Sequence, residues 1–301
     1  MSQTVLEEHA SSPAAPGARS VRGNDFLYYG LRNKKLLFGL GLEFLLILFA
    51  IIGPIISPNN TTEFFKPGSP PSAQNWLGTD YPLGHDVFAQ LVVGLRESYL
   101  VGALSAICAA VAGMVLGFVA GWRGGALDEA LQFLTNVVIM IPALVLLVVI
   151  GSYLNTRSVM FEGVFIGLTT WPWVARAVRA QTFSLRSREF VDLAKLSGKR
   201  ATSIVVKEIA PNMASYLFLA IILLFGSSML LASSYDFLGL GPSNVVSLGT
   251  MMQQANLNSA LFYHMWWWVF PPGMMLTAMV AALLVANVGL DEVFNPKLRE
   301  Q

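Results

Sequence analysis

Long apolar runs separated by polar stretches set the pattern of this chain. A helix needs about 20 apolar residues to cross the hydrocarbon core of a bilayer. Six runs reach or approach that length: Leu37–Ile56, Leu100–Val119, Leu131–Leu154, Val159–Val174, Ala214–Ala232 and Trp266–Val288. The pattern therefore predicts an all-α, polytopic membrane protein with six transmembrane helices. The third run contains Pro142, which a membrane helix tolerates as a kink. The fourth is the shortest and carries Trp171-Pro172-Trp173. Residues 1–24 are polar and rich in Ala, Ser and Pro, with no apolar core of a secretory signal, and are expected to form a disordered tail.

Composition sharpens this picture. Charged residues make up 12% of the 301, against 54% hydrophobic, with a mean hydropathy of +0.59. A soluble domain would carry about a quarter charged residues. A net charge of +1 implies neither nucleic acid nor an acidic partner. The single cysteine, Cys108, excludes a disulfide framework and a Cys-based metal site, and is read as a small buried hydrophobe. Sixteen of the 19 Lys and Arg fall before the first run, between runs two and three, between four and five, and after the sixth. The remaining three, Lys66, Arg96 and Arg157, fall on the other side. By the positive-inside rule both termini are cytoplasmic. The expected organisation is a cytoplasmic tail over 1–35, a transmembrane domain over 36–290 and a cytoplasmic tail over 291–301.

Inside the second run a small residue recurs at every fourth position: Ser105, Ala109, Gly113, Gly117, Gly121. Such a strip lets another backbone approach closely. Packing within the subunit is preferred over a seam between subunits. Glu43 and Asn136 are the polar intruders in the runs. Glu43 is expected to be satisfied by water or a polar neighbour, and Asn136 by a carbonyl freed at Pro142. Glu43 is taken as the only intramembrane acid or histidine. Trp266-Trp267-Trp268 open the last run where an interfacial aromatic belt belongs. Asn59 and Asn60 begin formal glycosylation acceptors, read as chance. A phosphate-binding G-x-x-x-x-G-K-[ST] loop is missing, because the residue five before Gly198 is Leu193. His9, His85 and His264 are isolated, and no G-x-S-x-G elbow occurs. The sequence therefore predicts neither an enzyme nor a cofactor site.

One stretch stands apart: SREFVDLAKLSGKRATSIVVKEIAPN, residues 187–212. From Arg186 to Glu208 it has six basic and three acidic residues. Phe190, Val191, Leu193, Ala194 and Leu196 among charges predict a short amphipathic helix over 189–197. Gly198 stands where a C-cap glycine belongs. Thr202 is placed to cap a second helix running through Ile209 and ending before Pro211. A plain connection needs only a few residues. The residues themselves leave two contacts open, a docking partner or anionic lipid.

This stretch resembles the EAA loop of ATP-binding-cassette (ABC) importer permeases, Glu-Ala-Ala, three residues, Gly, then Pro thirteen residues later. Here the pattern reads Asp192-Leu193-Ala194, Lys195-Leu196-Ser197, Gly198 and Pro211. LGTDYPLGHDVFAQLVVGLRESYLVG (77–102), AGWRGGALDE (120–129), TWPWVARAVRAQTFSLRSREFV (170–191) and FLGLG (237–241) are also similar to dipeptide/oligopeptide permease C-type subunits. The resemblance covers roughly residues 30 to 299. Departures are His85 for Arg, Asn136 for a common Asp, Leu248-Gly249 for Trp-Gly, and a recoded end, NVGLDEVFNPKLR. The resemblance implies a type I ABC importer permease in a bacterial or archaeal cell membrane, with its coupling loop over about 186–212. A second, homologous permease subunit, two cytoplasmic ATPase subunits and an extracytoplasmic solute-binding protein are the implied partners. ATP and Mg would be held by the ATPases. Phe190, Asp192, Leu193, Ala194, Gly198 and Pro211 would carry the coupling. Peptide is the leading cargo, with oligosaccharide and nickel as alternatives. A self-sufficient secondary transporter or channel is the reading from another class. A membrane-anchored receptor would need a sizeable soluble domain, and the longest extramembrane run is about 43 residues, 57–99.

Overall fold

A computed structural model describes residues 28–153 and 157–294. The expected tail over 1–24, together with Lys297 and Arg299, lies outside them. Among the described residues the chain is almost wholly helical. The order is α1 (Lys34–Ile56), α2 (Val87–Arg123), α3 (Gly125–Met140), α4 (Ala143–Tyr153), α5 (Val159–Arg186), α6 (Glu189–Leu196), α7 (Ala201–Ile204), a π-helical turn (Val205–Ile209), α8 (Ala210–Asn212), α9 (Ala214–Phe237), α10 (Leu248–Leu257) and α11 (Trp266–Phe294). Four of these, α1, α2, α9 and α11, are long and apolar enough to cross a membrane.

The third expected span is not one kinked helix. α3 and α4 are bent by 80° across Ile141-Pro142. Proline at 142 lacks the N–H that would continue the ladder. The Val138 carbonyl it leaves free instead accepts the Ile141 N–H at 3.3 Å. Asn136 does not serve that carbonyl. Its Oδ1 accepts from Arg176 Nη2 of α5 at 2.8 Å. The fourth expected span falls inside a longer helix, α5, which runs on past Val174 through a charged turn to Arg186 and is not among the helices apolar enough to cross a membrane.

α2 and α5 form the closest long helix pair. The small strip of α2 faces α5 within the same chain. A Cβ added at Gly113 would lie 2.6 Å from Val174 Cβ, one at Gly117 2.7 Å from the Ala175 carbonyl, and one at Gly121 2.7 Å from Thr182 Cβ. α5 answers with its own glycines: Gly163 lies against Leu104, and Gly167 against Cys108. Reciprocal glycines bring the two backbones together along nearly the full length, where dispersion and not water exclusion holds helices in lipid.

Three further ties close the bundle. α1 crosses α11 with Gly39 against Ala286 and Gly289 against Leu36. At that crossing Glu292 accepts from Lys35 at 2.5 Å and from Asn33, the cap of α1, at 2.7 Å. Asn287 of the recoded C-terminal segment donates to the Leu219 carbonyl of α9. Arg179 of α5 grips Asp128 of α3 in a bidentate pair, 2.5 and 2.6 Å. The guanidinium holds the Asp128 carboxyl below the usual carboxylate range.

At the opposite end, the LGTDYPLGHD segment ties the 57–86 loop to α2. Asp86 caps α2 through the Ala89 N–H at 2.8 Å and accepts from Asn59 and Asn75. Asp80 accepts from the His85 backbone N–H and from Gln90. Of the three consecutive tryptophans only Trp266 is exposed, so the expected aromatic belt is one ring wide. Trp267 and Trp268 are buried, and Trp267 donates to the Thr79 carbonyl at 3.3 Å.

Overpacking the α2–α5 seam should be far costlier than enlarging a glycine in open space. Gly117→Leu should lower stability by about 1–3 kcal/mol. Gly41→Ala, where an added Cβ meets nothing within 4 Å, should be neutral. Thermal unfolding of the detergent-solubilised chain measures both. Asp128→Asn should cost about 1–2 kcal/mol at neutral pH. Because the folded carboxyl titrates lower than the unfolded one, that difference is present above the ordinary Asp range. It disappears as acid protonates Asp128 in the folded chain.

Candidate functional site

The 187–212 stretch folds as the helical knob its pattern predicts, with changed details. α6 covers Glu189–Leu196, and Ser197 ends it. Gly198 sits at φ +72°. Its N–H donates to the Lys195 carbonyl at 2.9 Å, and the Lys199 N–H donates to the Ala194 carbonyl at 3.2 Å. That paired closure is a Schellman motif, which places its turn residue in the left-handed region. The second helix starts one residue before Thr202, with Arg200 as its cap residue and no side-chain cap bond. Nor does it end before Pro211. A π-turn over Val205–Ile209 carries the chain into Ala210–Asn212, with Pro211 in the first turn of that last piece.

The six residues expected to couple divide by direction. Asp192, Leu193, Gly198 and Pro211 are exposed, Leu193 at 64%. Phe190 is half-buried, and Ala194 is 5% exposed. Ala194 faces inward because it shares the knob's own core with Val191, Ile204, Ile209 and Met213. The same cluster continues into Trp171, Val174 and Val178 of α5 and Ala109 of α2. The knob is thus one body with the α2–α5 seam.

Polar contacts fix the same junction. Arg186 Nη1 donates to the Trp122 carbonyl at 2.7 Å. Lys195 Nζ lies 5.9 Å from the Trp122 ring centroid and 2.8 Å from Asp192. Lys199 bridges the two short helices to Glu208 at 2.6 Å. These pairs are largely solvent-exposed, so each contributes at most about 1 kcal/mol. The apolar core does more to fix the knob's angle. Periodicity misses Trp122 and Arg186, whose role depends on the end of α2 meeting the end of α5. The stripe Val191, Ala194, Ile204, Ile209 is the signal that could reveal the inner face.

The side chains that face outward from the knob are Leu193, Leu196 at 85% exposure, and Val206 at 65%. Three large apolar side chains thus stand in water on an otherwise charged surface. At the far end of the bundle, an open cavity of about 530 Å³ is lined by residues including Asp80, His85, Arg157, Gly241 and Gln253.

Glu43 of α1 is 7% exposed, with its carboxyl facing the Tyr99 hydroxyl of α2, a polar neighbour. Nor is Glu43 the only acid inside the bundle. Glu162 and Asp236 are 3% and 2% exposed. Glu162 lies within the expected fourth span, but its place in the first turn of α5 gives it the look of an ordinary helix-start acid.

Comparison with known proteins accounts for this architecture. Residues 113–300 match the family described as binding-protein-dependent transport system inner membrane component. The oligopeptide transport system permease protein OppC of Bacillus subtilis is 30% identical over 271 residues, 89% of this chain and 87% of that protein. The dipeptide transport system permease protein DppC of the same organism is 31% identical over 274 residues, 89% and 83%. The oligopeptide transport system permease protein OppC of Mycobacterium bovis is 29% identical over 274 residues, 89% and 92%. With the matched segment spanning α5, the knob, α9 and α11, the chain belongs to the inner-membrane permease components of binding-protein-dependent transport systems, and it is a transport component rather than an enzyme.

Proposed function

We propose that this chain is the permease half of a peptide importer and that the 187–212 knob is where a cytoplasmic ATPase grips it. A second, similar permease completes the path, two ATPases bind ATP and Mg, and an extracytoplasmic binding protein delivers the peptide. The cargo reading rests on relatives whose names specify dipeptides and oligopeptides. A self-sufficient transporter is disfavoured by membership of a family that works with a binding protein.

The observation that carries the coupling role is the knob's two-sidedness. Its inner face is continuous with the α2–α5 core, while Leu193 and Leu196 point into solvent at 64% and 85% exposure. Anionic lipid, the other contact the residues allow, accounts less well for the outer face. Asp192 sits on it beside the leucines, and an acid there opposes an anionic surface. A partner pocket that takes Leu193 and Leu196 removes apolar area from water and transmits force through a packed lever. ATP-driven approach of the ATPases would move each knob as a rigid body and rock α2 and α5 with it.

Gly198 sets the angle between the short helices at a positive φ, which costs a residue with a Cβ about 1–2 kcal/mol. Gly198→Asp should abolish uptake in membrane vesicles while the chain still inserts; undiminished transport would sink the coupling role. Leu193→Ser combined with Leu196→Ser leaves the buried core untouched. ATPase subunits should then no longer co-purify, with the unfolding temperature unchanged. Retained co-purification would place the docking face elsewhere.

A further inference from the structure

At the end of the bundle opposite the knob, two acids are buried against each other. Glu162 lies in the first turn of α5 and Asp236 in the last turn of α9, and their carboxyl groups face one another. An apolar cluster of Val101, Leu147, Ile166, Ala232 and Tyr235 backs them. Among the described residues neither oxygen of Glu162 receives a hydrogen bond from a donor group, nor does Oδ1 of Asp236. Asp236 Oδ2 accepts from the Ser247 hydroxyl at 2.5 Å.

Among the described residues no cation pairs with either carboxyl. The groups around the pair are the hydroxyls of Tyr235, Ser247 and Thr250 and, at the rim, Arg157. Arg157 is exposed, and its guanidinium donates to the Gly239 carbonyl at 3.0 Å. Asp80 and His85 line the same rim cavity but pair with each other at 3.1 Å. Both carboxyls are enclosed within this chain. Two like charges in contact without water cannot both persist.

We propose that Glu162 and Asp236 form a buried proton-binding site, and that its single shared proton clasps α5, α9 and the 238–247 loop together at the outer end of the bundle. Glu162, which has no donor of its own, carries the proton and donates it to Asp236. The negative charge stays on Asp236, facing the Ser247 hydroxyl. Ser247 also caps α10 by accepting the Thr250 N–H at 3.0 Å, which points the positive end of that helix at the charge. The Leu248 N–H donates to Ser98 of α2 at 3.3 Å, extending the clasp to a fourth element. Gly241 rests directly on Asp236 Oδ1, with no space for a Cβ. The loop lining the outer cavity is therefore seated on the site itself. Loss of the proton leaves two anions in contact and drives the loop and the end of α9 away from α5. This site stands independently of the cargo and of the coupling face.

Infrared spectroscopy of the full chain in lipid nanodiscs, with its co-purifying subunits, tests the proton directly. A carboxylic-acid carbonyl band should be present at neutral pH, and Glu162→Gln should remove the intensity of one carboxyl from it. Thermal unfolding gives a second readout. The folded chain binds a proton that the unfolded chain has lost at neutral pH, so stability falls as pH rises. The folding equilibrium should decline by up to about tenfold per pH unit on the alkaline side. Glu162→Gln keeps an N–H donor and cannot ionise, so its profile should be shallower than that of the parent chain by up to about tenfold per pH unit. A spin label at exposed Ser243, placed in Cys108→Ser, should gain mobility as pH rises and should stay ordered when Glu162→Gln is added. Superimposable pH profiles, with no band intensity lost in the variant, would overturn the proposal. Should Glu162→Gln fail to fold, Asp236→Asn faces the same two measurements, and an unchanged band with an unchanged slope overturns it equally.

Discussion

The close approach of α2 and α5 is the contact on which the rest of the molecule depends. In lipid, burying a leucine between helices gains little over leaving it against acyl chains, so association needs short distances between backbones. Gly113, Gly117 and Gly121 supply them from one side and Gly163 and Gly167 from the other. Because the seam runs nearly the whole length of α5, whatever moves one end of that helix moves the other. The charged last turns of α5 are the part that extends this rigid unit into the knob.

A lever needs a stiff arm and a stiff joint. Here the joint is a packed core: Val191, Ala194, Ile204 and Ile209 join the same cluster as Val174 and Val178. Ion pairs at the junction, Asp192–Lys195 and Lys199–Glu208, are too exposed to set an angle alone. The π-turn over Val205–Ile209 adds a residue to the helical ladder and rotates the helix beyond it, letting Ile209 and Met213 both face inward while Pro211 stays outside.

How much of this is legible in sequence depends on the range of the interaction. Four of the apolar runs, the small strip and the Gly198 turn are local or periodic, and each appears where its pattern places it. The strip's partner is also recoverable, since α5 carries complementary glycines. The 80° break at Ile141-Pro142 is not, because proline permits either a kink or a full stop and the choice is tertiary. Asn136 goes to Arg176, 40 residues away, and no spacing rule reports that. Ala194 belongs to a motif read as a docking surface, yet a motif does not distinguish residues that touch a partner from those that shape the element. Glu162 and Asp236 are far apart in the chain, and each taken singly looks like a helix-end acid.

The two ends of the bundle handle charge in opposite ways, and the contrast matches the task of each end. At the knob end charges are paired with opposite charges at or near the surface: Lys35 with Glu292, Arg179 with Asp128, Lys199 with Glu208. Such pairs tolerate rearrangement, because water can take over either partner at small cost. A surface that must make and break contact with a moving partner suits that arrangement. At the other end Glu162 and Asp236 are sealed from water with one hydroxyl between them and the loop. There the alternative to the present geometry is an unsolvated charge, which is costly. On the proposed proton site, the outer end would be held in discrete arrangements chosen by whether one proton is present, while the exposed pairs of the knob end would adapt continuously. A rigid α2–α5 unit joining an adaptable face to a two-state clasp can carry a push from one side of the membrane into an all-or-none change on the other.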